Sequence, residues 1–143
     1  MPEPTRKLAA IVFTDIVGFT KLTAEDQSQA SSLLKTQRDL FQPLVAQFNG
    51  SWIKEMGDGL ILTFDTVTAA VNCCIKLQDA SKQIDNLDIR IGIHEGEILI
   101  EENDIIGDDV NIAARIEPFA APGGIAISNK VHDAIIRESE FTT

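Results

Sequence analysis

Two aspartates stand where a carboxylate can bind a metal ion. Asp15 follows a continuously apolar run, residues 8–13, that suits a strand buried on both faces. Asp58 lies between two glycines, in a tight turn that joins two apolar segments. Two carboxylates at one sheet edge repel each other unless protons or cations lie between them, and such a pair can hold two ions for phosphoryl transfer. The alternatives are a solvated cap at Asp15 and an ordinary glycine turn at Asp58.

Lys54 and Asp104 form a second candidate pair. Lys54 interrupts an apolar strand, and Asp104 precedes a loop that contains Gly107. An ammonium and a carboxylate match adenine, whose N1 accepts a hydrogen bond and whose amino group donates one. Guanine has the reverse pattern, and a mismatched buried polar group costs roughly 1 to 3 kcal/mol. The alternative is that Lys54 is a surface side chain and Asp104 a loop residue.

Asn111 and Arg115 are four residues apart, and therefore lie on one face of a short helix. Such a pair can hold a ribose and a phosphate as negative charge builds on the phosphoryl oxygens. It can equally face solvent. Arg90 lies in an alternating strand, where a solvent-facing side chain is expected, and His94 is expected to be a hydrogen-bonded or half-buried histidine without a role in chemistry.

Composition restricts the class of partner. The 143 residues suit one domain, with 44% hydrophobic and 24% charged residues. The net charge of −10 argues against nucleic acid or an anionic membrane surface, and a bound nucleotide would need divalent cations to offset its phosphates. Cys73 and Cys74 are predicted to be core thiols in a reducing compartment. No run is long and apolar enough to span a membrane, and residues 1–7 lack the apolar core of a signal peptide. We therefore expect a soluble, cytoplasmic segment, which can also be the cytosolic part of a larger protein.

Periodicity predicts four helices. The first covers residues 24–48, with a capping box at 23–26 and Pro43 as a kink or a junction. The second covers 66–83, capped by Asp65 or Thr66. A short helix covers 110–116 and stops before Pro118, and Ser128 caps a last helix that ends near residue 137.

The remaining segments predict strands. Residues 51–56 and 60–64 form a hairpin around 57–59, and a strand from Ile89 turns at residues 95–96 into a partner at 97–101. A polar loop covers 104–109, and a further strand covers 125–127. This order of helix crossovers and hairpins predicts an α+β fold, with a mixed or antiparallel sheet covered by helices.

Four segments occur in a fixed order: FTDIVGFT at 13–20, KEMGD at 54–58, RIGIHEG at 90–96 and DIIGDDVNIAARIE at 104–117. This series closely resembles the catalytic domain of class III adenylyl and guanylyl cyclases, from about residue 8 to the end of the chain. The resemblance implies a ferredoxin-like βαββαβ core with an additional C-terminal strand and helices. It also implies that residues 1–143 form a single cyclase domain without the family's C-terminal hairpin and last strand.

The resemblance also implies a role for each candidate residue. Two divalent cations, Mg²⁺ or Mn²⁺, would bind Asp15, Asp58 and the Ile16 carbonyl. Asp15 could also accept the hydroxyl proton, and transfer to the substrate itself or to water is equally compatible. Lys54 and Asp104 would select adenine, Asn111 and Arg115 would stabilise the transition state, and the triphosphate would contact Arg90 and the amides of Val17, Gly18, Phe19 and Thr20.

Guanylyl members of the family carry Glu and a small residue such as Cys in place of this Lys and Asp, so the resemblance favours ATP. It implies a head-to-tail homodimer in which each site takes residues from both chains, although Lys54 and Asp58 are close enough in the sequence to serve one site in a monomer. The hypothesis is an adenylyl cyclase that binds ATP and a second copy of itself, with no nucleic acid and no membrane contact by this segment. The alternatives are a guanylyl or relaxed-specificity cyclase, and a catalytically silent module that binds nucleotide or dimerises.

Overall fold

The structure, a computed structural model, describes residues 5–137 as a sheet with helices on both faces. Its strands are β1 (Thr5–Ile16), β2 (Ser51–Met56), β3 (Gly59–Phe64), β4 (Ile89–Glu101), β5 (Asp104–Ile106) and β6 (Ile125–Ile127). Its helices are α1 (Phe19–Glu25), α2 (Gln27–Gln47), α3 (Val67–Ser81), α4 (Asp108–Ile116) and α5 (Asn129–Ile135), with a 3₁₀ turn at Glu117–Phe119.

The strands lie in the order β2-β3-β1-β4-β5. Each pair in this path is antiparallel, and β6 adds a parallel pairing to β4 at Ile91 to Ile93. The first four strands and their two helical connections therefore form the ferredoxin-like βαββαβ unit. The predicted α+β fold with a mixed sheet is confirmed.

Hydrophobic side chains pack on both faces of the sheet. On one face, α2, α3 and α5 bury Phe41, Leu77 and Val131 against residues of β1 and β4 such as Val12 and Ile91. On the other face, a smaller cluster joins α4 to the sheet; its buried members are Ala9, Ile11, Ile61, Ile98, Ile105, Val110 and Ala113. The sheet curls around this second cluster, so that the outer strands β2 and β5 contact each other.

The first helical segment differs from its prediction. It begins at residue 19 and divides into α1 and α2. The hydroxyl of Thr23 donates to the Phe19 carbonyl within α1, whereas the Asp26 carboxylate accepts from the Gln29 N–H and caps α2. The predicted capping box is therefore wrong, because Asp26 takes the capping position. Pro43 does not divide α2, which continues past it.

The predicted turn at residues 95–96 is also wrong, because β4 is continuous. A side chain at Gly96 would collide with that of Asp109 in α4, so this glycine marks a close approach of the helix and not a turn. The hairpin turn falls at Glu102 and Asn103, whose φ angles of 42° and 68° are both left-handed, as in a type I′ turn. The segment after it pairs with β4 as β5, so Asp104 lies in a strand and not in the predicted loop.

Signals that depend on a few neighbouring residues are confirmed. The β2–β3 hairpin forms, Thr66 caps α3 and Ser128 caps α5, although α3 and α5 each end two residues earlier than predicted. Cys73 and Cys74 are buried free thiols. Among residues 5–137, no helix is long and apolar enough to cross a membrane.

The contact between Gly96 and α4 gives a first prediction. We expect Gly96→Ala to lower the free energy of unfolding by about 1 to 3 kcal/mol, because the new methyl group overlaps the Asp109 side chain. Urea denaturation measures the change, and Glu97→Ala, on the exposed face of the same strand, is the control. Equal stability of the two variants would show that the Asp109 side chain does not pack closely against Gly96.

Candidate active site

The register of β1 and β4 places Asp15 directly beside Arg90. The Arg90 guanidinium donates from Nε to Asp15 Oδ1 at 3.1 Å and from Nη2 to Oδ2 at 3.2 Å. This hydrogen-bonded pairing raises the pKa of Arg90. The expectation that Arg90 faces solvent is therefore wrong: its side chain is half-buried and occupies both carboxylate oxygens of Asp15.

Asp58 lies at the tip of the β2–β3 hairpin, as predicted. Its Oδ2 accepts a hydrogen bond from the Ile16 N–H at 2.8 Å, which ties the hairpin tip to the end of β1. Asp15, the residue before Ile16, thus lies at the same end of the sheet as Asp58. The structure thus brings together two aspartates that are 43 positions apart in the sequence.

Glu117 is a member of this cluster that the sequence analysis did not single out. Its side chain is 9% exposed, and its Oε2 lies 4.0 Å from the Arg90 Nε. Burial raises the pKa of Glu117 to about 7; the neighbouring carboxylate of Asp15 and, less strongly, that of Asp58 add to this rise, and the charge of Arg90 opposes it. In the sequence, its position at a helix end, directly before Pro118, predicts an exposed side chain.

A weak signal for the burial of Glu117 is present in β4. Gly92 interrupts a strand of branched residues, and a Cβ there would lie 2.5 Å from the backbone N and Cα of Glu117. A strand glycine marks a place where another backbone can approach closely. The absence of a side chain at Gly92 therefore lets the turn after α4 pack against β4, which places the Glu117 carboxylate near Arg90.

The donor set suits a hard divalent cation that arrives with a substrate. Asp15 and Asp58 bring two carboxylates to one end of the sheet, where both Asp15 oxygens are bonded to Arg90 and one Asp58 oxygen accepts from the Ile16 N–H; the Ile16 carbonyl directly follows Asp15 in the chain. Within residues 5–137, no three His, Cys, Asp or Glu side chains converge closely enough to hold a metal by themselves. Mg²⁺ is commonly bound by one or two carboxylates, with substrate phosphates and waters completing its shell, so the residues present fit this ion.

The turn that follows β1 presents backbone amides at the start of α1. The Val17 N–H is already engaged, because it donates to the Asp88 carbonyl at 2.8 Å. Gly18 has a left-handed φ of 77°, and α1 begins at Phe19. Amides in the first turn of a helix, here those of Phe19 and Thr20, have no acceptor within the helix and can bind anionic oxygens.

Lys54 and Asp104 meet across the curled sheet, although each belongs to an outer strand. Lys54 Nζ lies 2.9 Å from Asp104 Oδ2, and Asp104 Oδ1 accepts from the Ile105 N–H at 2.7 Å. The hydrogen bond from Lys54, followed by that from Ile105, lowers the pKa of Asp104. The two residues are thus not independent surface side chains: they form one ion pair that remains open to solvent.

Asn111 and Arg115 lie on the exposed face of α4. Val110 and Ala113 of the same helix pack into the second hydrophobic cluster, nearly half a turn away around the helix axis. Neither Asn111 nor Arg115 makes a side-chain hydrogen bond or ion pair with another residue of the described range. The structure therefore does not direct this pair into the cluster around Asp15.

His94 is buried, and both of its ring nitrogens have partners. Nδ1 lies 2.8 Å from Ser128 Oγ, and Nε2 lies 2.8 Å from Asp109 Oδ1. The hydrogen bond from His94 lowers the pKa of Asp109. The prediction of a hydrogen-bonded histidine is confirmed, and its physical effect is to join α4 and the start of α5 to β4.

Known proteins share this architecture. Residues 1–143 match the family model described as the adenylate and guanylate cyclase catalytic domain. The putative adenylate cyclase 3 of Rhizobium meliloti is 36% identical over 138 residues, which cover 91% of this chain and 24% of that protein, so the chain spans about a quarter of that relative.

Two solved structures extend the likeness to three dimensions. The adenylate/guanylate cyclase/hydrolase from Silicibacter pomeroyi has a TM-score of 0.87 at 36% identity, covering 98% of this chain and 87% of that chain. The adenylyl cyclase CyaB from P. aeruginosa has a TM-score of 0.84 at 26% identity, covering 96% and 84%. From the match over all its residues, this chain belongs to the adenylate and guanylate cyclase catalytic domain family.

Proposed function

We propose that this domain is an adenylyl cyclase, which converts ATP to 3′,5′-cyclic AMP and pyrophosphate. The observation that supports the adenylyl assignment is the ion pair between Lys54 and Asp104, 2.9 Å apart. An adenine ring that enters between them can accept at N1 from the ammonium and donate from its amino group to the carboxylate. Guanine would face each of these groups with a polar atom of the wrong type, and each mismatch costs about 1 to 3 kcal/mol.

The metal-binding end of the site uses Asp15, Asp58 and the Ile16 carbonyl in this proposal. Two bound divalent cations, Mg²⁺ or Mn²⁺, supply activation of the ribose 3′-hydroxyl and neutralise charge on the triphosphate and the leaving pyrophosphate. Asp15, once free of Arg90, is one candidate acceptor for the hydroxyl proton; the substrate itself and water are equally compatible acceptors. Asp58 is held for its task by the hydrogen bond from the Ile16 N–H, which fixes one of its oxygens.

The triphosphate is assigned to the turn after β1 and to Arg90. Because the Val17 N–H is bonded to Asp88, the amides of Gly18, Phe19 and Thr20 are the donors that we assign to phosphate oxygens. The Arg90 guanidinium, with its planar fork of N–H donors, suits a phosphate contact.

The complete site is proposed to form between two chains arranged head to tail. Asn111 and Arg115 point away from the sheet face that carries Asp15, so a single chain does not bring the transition-state pair to its own metal site.

Base selection gives a direct test of the adenylyl assignment. We expect Lys54→Glu combined with Asp104→Cys to shift the ratio of kcat/KM for ATP over GTP towards GTP by roughly 10- to 100-fold, because the hydrogen-bonding pattern of the pair changes. Steady-state assays with each nucleotide measure the ratio. Lys35→Glu combined with Asp39→Cys changes an exposed ion pair in α2 in the same way and should leave the ratio unchanged. An unaltered ratio in the site variant would contradict the assignment of Lys54 and Asp104.

Mixing two inactive variants tests the shared site. Asp15→Asn removes a metal ligand and Arg115→Ala removes a transition-state residue, so a mixed dimer retains one site with neither change. Equal amounts of the two should recover about a quarter of the parent activity, since half of the dimers are mixed and each has one intact site.

The matched control mixes Asp15→Asn with Asp58→Asn. Both substitutions remove a metal ligand from the same end of the site. Each site of a mixed dimer therefore still contains one of the two substitutions, and no activity should return. Failure of the Asp15→Asn and Arg115→Ala mixture to recover activity, while both chains still associate, would show that the site does not draw on two chains as proposed.

A further inference from the structure

Arg90 occupies the carboxylate that the proposed function needs for a metal ion. Its Nε and Nη2 engage the two oxygens of Asp15 at 3.1 and 3.2 Å. A guanidinium in this position both blocks the carboxylate oxygens and repels an approaching cation. Binding of a divalent cation by Asp15 therefore requires Arg90 to leave this bidentate contact.

An acceptor for the departing guanidinium is already in place. Glu117 Oε2 lies 4.0 Å from the Arg90 Nε, too far for a hydrogen bond. It is the only carboxylate oxygen among the buried side-chain atoms of residues 5–137 that lack a hydrogen-bond partner. A buried oxygen without a donor is costly, so a rotation of Arg90 that supplies one is favourable.

The carboxylate is held still while the arginine can move. The Glu117 backbone is packed against Gly92, two residues from Arg90 on the same strand, and Pro118 follows it in the 3₁₀ turn. Glu117 is buried, whereas the Arg90 side chain is 32% exposed and has several rotatable bonds. The short displacement from Asp15 to Glu117 is therefore made by the guanidinium.

We propose that Glu117 is a positioning residue that takes over the Arg90 guanidinium when Asp15 binds a divalent cation. Arg90 is thereby kept at the edge of the site with its remaining N–H donors directed to substrate oxygens, and Asp15 becomes free for the metal. This inference rests on the proposed function, because it takes Asp15 as a metal ligand. It assigns to Glu117 an effect on metal affinity that passes through Arg90.

A double-mutant cycle on Mn²⁺ binding tests the proposal without any turnover. The folded chain, with no nucleotide, is titrated with MnCl₂, and the electron paramagnetic resonance signal of free Mn²⁺ gives the Kd. We expect Glu117→Gln to raise the Kd roughly threefold to tenfold, which lies within the coupling energies of neighbouring groups. Arg90→Met should lower the Kd, because it removes the competitor for Asp15. In the Arg90→Met background, Glu117→Gln should then have no further effect.

Two other outcomes would overturn the proposal. If Glu117→Gln raises the Kd equally in both backgrounds, Glu117 acts on the cation by its own charge and not through Arg90. If Glu117→Gln fails to fold in a thermal melt, Arg90→Met alone decides: binding no tighter than that of the parent contradicts the competition for Asp15. Glu101→Gln, exposed at the far end of β4, is the control for loss of one carboxylate and should bind as the parent does.

Asp15→Asn separates failure of this inference from failure of the proposed function. Loss of Mn²⁺ binding in this variant, together with a persistent effect of Glu117→Gln in the Arg90→Met background, would remove only the role of Glu117. Binding by Asp15→Asn equal to that of the parent would instead remove the metal assignment, and the inference that depends on it.

Discussion

The antiparallel pairing of β1 with β4 is the constraint on which the site depends. It runs without interruption from Thr5 opposite Ile100 to Ile16 opposite Ile89. Because side chains alternate across a strand, this register fixes Asp15 and Arg90 as neighbours on one face. A shift by one residue would move Asp15 to the other face, into the cluster packed by α2 and α3, and would separate it from Arg90 and Glu117.

Two glycines of β4 let helices approach this same face. Gly96 leaves room for the side chain of Asp109, in the first turn of α4, and Gly92 leaves room for the backbone of Glu117, which follows α4. Between these two contacts the helix has little freedom to turn, so its outer face presents Asn111 and Arg115 to solvent. The same contacts that bury Glu117 therefore also expose the pair that we assign to a partner's substrate.

Charge is concentrated at the end of the sheet where β1 and the β2–β3 hairpin meet. Asp15, Asp58 and Glu117 lie around the single guanidinium of Arg90, in a chain of net charge −10. Such a group of carboxylates is unfavourable unless counter-charges are close. Arg90 supplies one positive charge to this cluster, and the proposed cations would supply the rest and so offset the charge of the proposed triphosphate.

Local signals in the sequence were enough to predict much of the fold. The cap of α3 could be narrowed to Asp65 or Thr66, of which Thr66 is the cap, and Ser128 could be named as the cap of α5, because a capping hydrogen bond spans only three residues. The predicted turn at residues 95–96 is wrong because Gly96 is needed for the close approach of Asp109 in α4. That contact joins residues distant in the sequence, so no local pattern reveals it.

In the site, too, residues in local motifs could be predicted, whereas contacts between distant segments could not. The aspartates and the Asn111 and Arg115 pair could be named from motifs, but the meeting of Lys54 with Asp104 depends on the curl of the whole sheet. Glu117 was missed because its neighbour Pro118 suggests an exposed helix end, whereas its burial is imposed by Gly92, distant in the chain.

Identification of the product tests the central claim most directly. The purified chain is incubated with ATP and Mn²⁺ over a range of protein concentrations, and the products are separated by chromatography. We predict cyclic AMP and pyrophosphate, with a specific activity that rises with protein concentration, is lost in Asp15→Asn and is kept in Asp79→Asn, an exposed aspartate of α3. Absence of cyclic AMP from the folded chain at every concentration, or equal product from Asp15→Asn, would contradict the account.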